Sequence, residues 1–115
     1  MKVVGLFKNA QESVKVAAGD VVFSEGDQGD EMYGIVDGEV ELRTPTRVIA
    51  TLGVDDVFGE MALVDSTPRM ATAVATKDTV LAVIDKTRFL FLVHETPMFA
   101  LQVMSAMAER FRRQA

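Results

Sequence analysis

From Ser13 to Asp85 no apolar run goes far before a turn-forming cluster stops it. "VKV" is followed by "AAGD", "VVF" by "SEGDQGD", and "EMYGIVDGEVEL" carries Asp37-Gly38 in its middle. "RVIATLG" is another short run, and "TAVATKDTVLAVID" reads as two more around Lys77-Asp78. Runs this short, bounded by Gly, Asp and Ser, suit strands better than helices. Asp37-Gly38 reads as a hairpin turn, because both central residues of such a turn take positive φ, which Asp and Gly tolerate. Many short strands must roll up or close to protect their edges. The expected fold is therefore mainly β with some α: an antiparallel β roll (a double-stranded β-helix, jelly-roll-like) over about residues 13–85.

After Asp85 the rhythm changes. Asp85 is placed to cap "KTRFLFLVHE", and Thr96-Pro97 reads as cap and first position of a second helix. In "MFALQVMSAMAERFRRQ" the residues Leu101, Met104, Ala108 and Phe111 fall on one stripe. Arg110, Arg112 and Arg113 lie near its end, where cations suit the helix dipole. Two C-terminal helices are expected over about residues 86–113. A short N-terminal segment offers Val3, Val4, Leu6 and Phe7 for packing. At 115 residues the chain closes one core, so 1–115 is read as a single domain.

Composition excludes several functions. There is no cysteine for a thiolate nucleophile or a Cys-based zinc site, and one histidine, His94, cannot build a His-rich metal centre. His94 reads as an exposed or capping residue, and no metal or cofactor is expected. A net charge of −5 argues against a general nucleic-acid surface. The first residues hold no long apolar run, so neither signal peptide nor membrane span is expected, and the location is read as cytoplasmic. "SEGDQGD" lacks the twelve-residue ligand ladder of a calcium loop and reads as a turn.

The chemistry concentrates in "FGEMALVDSTPRMATAVA", residues 58–75. Gly59 permits close backbone approach to a ligand. "EMAL" suits one helical turn, whose first amides favour an anion. Arg69 supplies a planar, permanently charged fork suited to phosphate, and Glu60 can accept hydrogen bonds from a sugar hydroxyl. On residue types alone, a structural Glu60–Arg69 ion pair beside a turn fits as well as a phosphorylated-ribose site.

This stretch resembles the phosphate-binding cassette of the cyclic nucleotide-binding domain family: Phe-Gly-Glu, an apolar residue, Ala-Leu, a short spacer, then Pro-Arg-x-Ala. "AAGDVVFSEGDQGDEMYGIVDGEVEL" is similar to that family's other signature, and "PMFALQVMSAMAERFR" to its last helix. The resemblance runs from about Ser13 to Arg113. It implies that Glu60 binds the ribose 2′-hydroxyl and Arg69 the cyclic phosphate, with Gly59, Met61, Ala62, Met70, Ala71 and Thr72 completing the ligand-binding set. It also implies a lid from the last helix, with Met104, Met107 and Arg110 as candidates. Where guanine-preferring members carry Ser or Thr after the arginine, this chain has Met70, which points to cyclic AMP as ligand ahead of cyclic GMP. The expected function is a sensor or regulatory domain, not an enzyme, in which ligand capture moves the C-terminal helices. The alternative is a structural or dimerising module with an empty pocket or another effector. Expected partners are the cyclic nucleotide and either a second copy, through the last helix, or an effector protein. No DNA binding is expected from this chain, in which no recognition helix is read.

Overall fold

The computed structural model describes residues 2–114. Eight strands come first, interrupted by one helical turn: β1 (Ser13–Val16), β2 (Val21–Phe23), β3 (Glu31–Asp37), β4 (Val40–Arg43), β5 (Val48–Leu52), β6 (Val57–Phe58), α1 (Met61–Val64), β7 (Thr72–Ala75) and β8 (Thr79–Asp85). Two helices follow, α2 (Lys86–Glu95) and α3 (Met98–Gln114). The strands form two antiparallel four-stranded sheets, ordered β1-β8-β3-β6 and β2-β7-β4-β5. This is the β roll with C-terminal helices anticipated from the turn rhythm.

The two sheets face each other across one apolar layer. Tyr33 and Ile35 of β3, Phe58 of β6 and Leu81 of β8 meet Val40 and Leu42 of β4, Ile49 of β5 and Ala73 of β7. Strand alternation sends the intervening residues the other way. Met32 of β3 and Ala82 and Ile84 of β8 join Leu92 of α2 and Phe99 and Val103 of α3 in a second buried cluster. The β8–β3 pair is thus buried on both faces, one towards the other sheet and one towards the helices.

Asp37-Gly38 is not a hairpin turn. The strand before it pairs with β8 and β6, and the strand after it with β5 and β7. The pair is a corner at which the chain changes sheets. Only Gly38 has positive φ, at 102°. A Cβ there would lie 2.4 Å from Thr79 Oγ1 and 2.6 Å from the Asp78 carbonyl oxygen. Thr79 Oγ1 accepts from the Glu39 amide at 3.1 Å, which fastens the corner to the start of β8. The hairpin that does form joins β4 to β5 through residues 44–47, with the Thr44 amide donating to the Arg47 carbonyl at 2.9 Å.

Asp85 caps α2, its carboxylate accepting from the Arg88 amide at 2.8 Å. Helix α3 begins at Met98, one residue later than Thr96-Pro97 suggests. Its inner face is Phe99, Gln102 and Val103, while the stripe of Leu101, Met104, Ala108 and Phe111 faces outward. Phe99 is held edge-on between Phe7 and Phe89, at centroid distances of 6.1 and 5.7 Å. In the N-terminal arm Phe7 is buried but Val4 is exposed, so Val4 does not pack as expected. Among the described residues no single helix is long and apolar enough to cross a membrane.

Candidate functional site

The segment between β6 and β7 lies where the roll meets α3. Gly59 turns the chain with φ at 79°. Glu60 then opens α1, and its side chain turns inward, only 4% exposed. A buried carboxylate needs a partner, and here it is Arg110 of α3, whose Nη1 donates to Glu60 Oε1 at 2.5 Å. Arg110 Nη2 donates to the Val57 carbonyl of β6.

Arg69 is fixed from both ends. Its amide donates to the Asp27 carbonyl and its carbonyl accepts from the Gly26 amide, both at 2.8 Å, so the "SEGDQGD" turn clamps its backbone. Its side chain is 7% exposed. Nη1 donates to the Gly59 carbonyl at 3.0 Å and Nη2 to the Glu31 carbonyl at 2.8 Å. Glu60 and Arg69 therefore have different partners, which removes the simple ion-pair reading. Guanidinium has five donors, and these contacts leave Nε unpaired. Among the described residues the buried side-chain polar atoms without a partner are Arg69 Nε and Thr67 Oγ1, both in this one segment. Leaving such an atom unpaired costs about 1–3 kcal/mol, and a ligand site is one place where that cost is tolerated.

Of the residues named from the sequence, Gly59, Glu60, Met61, Ala62, Arg69 and Ala71 wall one cleft of about 60 Å³, together with Phe23, Leu42 and Arg110. Thr72 begins β7, and its hydroxyl accepts from the Glu25 amide at 3.0 Å. Met70 lies outside this cleft, on an adjoining apolar groove of about 500 Å³ that it shares with Glu60, Met61, Met107 and Arg110. Two of the three lid candidates, Met107 and Arg110, border this groove. The third, Met104, does not; it faces solvent. Phe111 also borders the groove. It stands one helical turn after Met107, a spacing that makes it a further lid candidate. His94 is exposed on α2, 3.0 Å from Glu95 Oε2, and borders neither cavity.

Beneath Arg69, the Tyr33 hydroxyl donates to Glu31 Oε1 at 2.8 Å. Burial, reinforced by that carboxylate, pushes the Tyr33 phenol well above its ordinary pKa. Tyr33 therefore stays neutral, with its ring centroid 5.9 Å from the Arg69 guanidinium carbon.

Comparison with known proteins bears on this geometry. The cyclic nucleotide-binding domain family matches residues 13–96, which hold both the turn that clamps Arg69 and the whole β6–β7 segment. The chain belongs to the cyclic nucleotide-binding domain family.

This cyclic nucleotide-binding domain is 36% identical over 99 residues to the cyclic AMP receptor protein of Thermus thermophilus, covering 82% of this chain and 46% of that protein. It is 35% identical over 100 residues to a cGMP-dependent protein kinase of Plasmodium berghei, covering 86% of this chain and 12% of the kinase. The crystal structure of the Thermus thermophilus catabolite activator protein superposes with a TM-score of 0.76 at 32% identity, over 90% of this chain and 51% of that one. The domain thus spans about half or less of the length of these relatives.

Proposed function

We propose that this domain binds cyclic AMP in preference to cyclic GMP, and that binding draws Arg110 away from Glu60 and moves α3. The observation that carries the reading is the occupied carboxylate. Arg110 fills the acceptor that a ribose hydroxyl would use, 2.5 Å from Glu60 Oε1. A cleft of about 60 Å³ is also far smaller than the roughly 300–1,000 Å³ of small-molecule sites. Glu60, Met61 and Arg110 are common walls of this cleft and of the 500 Å³ groove. Withdrawal of Arg110 would join the two. The phosphate would then meet Arg69, the ribose Glu60, and the base the apolar side formed by Met70, Met107 and Phe111.

A ligand shifts such an equilibrium only by its differential affinity for the two states, and here the difference is competition for one carboxylate. Relatives named for either nucleotide match the chain, so the preference rests on Met70, which has no hydroxyl to meet a guanine amino group. The outward stripe of Leu101, Met104, Ala108 and Phe111 favours a second, compatible reading, in which two copies pair through α3. Sedimentation at increasing protein concentration tests it, and a monomer throughout would reject it.

The main reading is tested by calorimetric titration with each nucleotide, combined with amide hydrogen exchange. Cyclic AMP is expected to bind more tightly, and exchange at the last turns of α3 to rise. Absence of binding heat at several temperatures would overturn the ligand assignment. Tight binding with unchanged exchange in α3 would overturn the coupling.

A further inference from the structure

We propose that Phe23 is a positioning residue for phosphate recognition: its ring is the platform that holds the Arg69 guanidinium in register with the cassette. The inference rests on the proposed role of Arg69 as the phosphate contact.

Phe23 ends β2, in the sheet opposite β3 and β6, and would ordinarily count as one more apolar strand residue. Its ring packs against Tyr33 and Phe58, at centroid distances of 6.1 and 5.9 Å, so its own orientation is fixed. The guanidinium carbon of Arg69 lies 4.1 Å from the ring centroid, well within the range in which a cation is attracted to an aromatic face. Gly29 also lies close against the guanidinium: a Cβ there would fall 2.4 Å from Nη2 and 2.5 Å from Nε. Gly29 does not have positive φ, so the room left for Arg69 is what its missing side chain supplies.

The two carbonyl bonds fix the guanidinium within its own plane. They leave it free to tilt about the line joining its two terminal nitrogens. The flat ring and the closely approaching Gly29 restrict that tilt. Nε, buried and unpaired, is then held in one place. Arginine is suited to phosphate because its planar fork presents several donors at once. That advantage is lost if the plane is free to rock. A leucine at position 23 would fill much of the volume and supply neither flat face nor quadrupole.

Cyclic AMP affinity is measured by calorimetry for the wild type, Phe23→Leu and Phe23→Tyr, with urea denaturation of each unliganded protein. The arginine Nε–H resonances of the wild type are recorded by NMR, and the Arg69 signal is assigned by its loss in Arg69→Lys. Phe23→Leu is expected to lose about tenfold in affinity, and Phe23→Tyr, which keeps the ring, to stay within about twofold of wild type. The Arg69 Nε–H signal is expected to be shifted upfield by the ring current. A folded Phe23→Leu that binds like wild type would overturn the proposal. Equal losses in the Leu and Tyr variants would overturn it too, because the ring would then be immaterial. If Phe23→Leu does not fold, the wild-type resonance decides, and an unshifted signal rejects the platform. Failure of wild type to bind cyclic AMP at all would instead reject the functional reading, and the Nε–H signal would still test the seat of Arg69.

Discussion

The two ends of the β6–β7 segment are held in different ways. At one end, Arg69 is fastened by the roll: carbonyls of Gly59 and Glu31 hold its side chain, and the turn at Gly26–Asp27 holds its backbone. At the other end, Glu60 is held by a side chain of α3, a helix that joins the roll through the second buried cluster. The first arrangement is fixed within the roll, by the start of β3 and by backbone at Gly26–Asp27 and Gly59. The second lasts only while α3 stays docked. A recognition site built in this way has a preset half and a conditional half, and only the conditional half can carry news of the ligand to another element.

That contrast can be broken most severely at Arg69. Arg69→Ala is expected to cost about 1.5–3 kcal/mol of cyclic AMP binding, roughly ten- to more than a hundredfold. The roll should survive, since its strand ladders do not depend on the guanidinium. Calorimetry with circular dichroism checks both halves of the claim, and unchanged affinity in a folded variant would take Arg69 out of the preset half.

Arg110→Gln should move affinity the other way. It leaves Glu60 buried without its cation, which penalises the unliganded state, and it removes the competitor for the carboxylate. Cyclic AMP affinity is expected to rise about two- to tenfold. Titrations of wild type and variant in one buffer measure this, and a fall in affinity would mean that Arg110 supports the ligand and does not exclude it.

The smallest effect belongs to the base. Met70→Thr supplies a hydroxyl for a guanine amino group, but Met70 is 55% exposed, so the new bond forms in competition with water. The ratio of cyclic GMP to cyclic AMP affinity is expected to rise only about two- to threefold, the low end for a net hydrogen bond. Paired dissociation constants decide it. An unmoved ratio would shift base reading to Met107 and Phe111.

The roll was legible in the sequence because turn residues are local: Gly and Asp mark where strands stop whatever the strands pair with. Pairing itself is not local, and that is why Asp37-Gly38 misled. Its chemistry fits a hairpin, yet the decisive partner, Thr79, lies forty residues on and draws the chain to the other sheet. The same limit hid the partner of Glu60. Arg110 was visible as a helix-end cation and, through family resemblance, as a lid candidate, but nothing local links it to a carboxylate fifty residues earlier. Phe23 reads as one apolar strand residue among many until Arg69 is found on its ring. Phe111 was within reach of sequence reasoning, since helical spacing sets it beside Met107.

Gln102 adds polar fastenings between three parts of the chain that the second buried cluster already brings together. It is 2% exposed, its Oε1 accepts from the Val3 amide at 3.0 Å, and its Nε2 donates to the Asp55 carbonyl at 2.6 Å. Asp55 in turn accepts from the Gly5 amide at 3.1 Å. One amide group thus works as a rivet through three layers: the opening arm, the turn ahead of β6, and α3. A helix riveted in this way does not travel alone. If α3 moves as proposed, these bonds would carry its displacement to residues 3–5, giving that motion a second outlet in the opening arm. On the proposed coupling, a fluorophore at the exposed Val4 would register ligand capture at Glu60, more than fifty residues away along the chain.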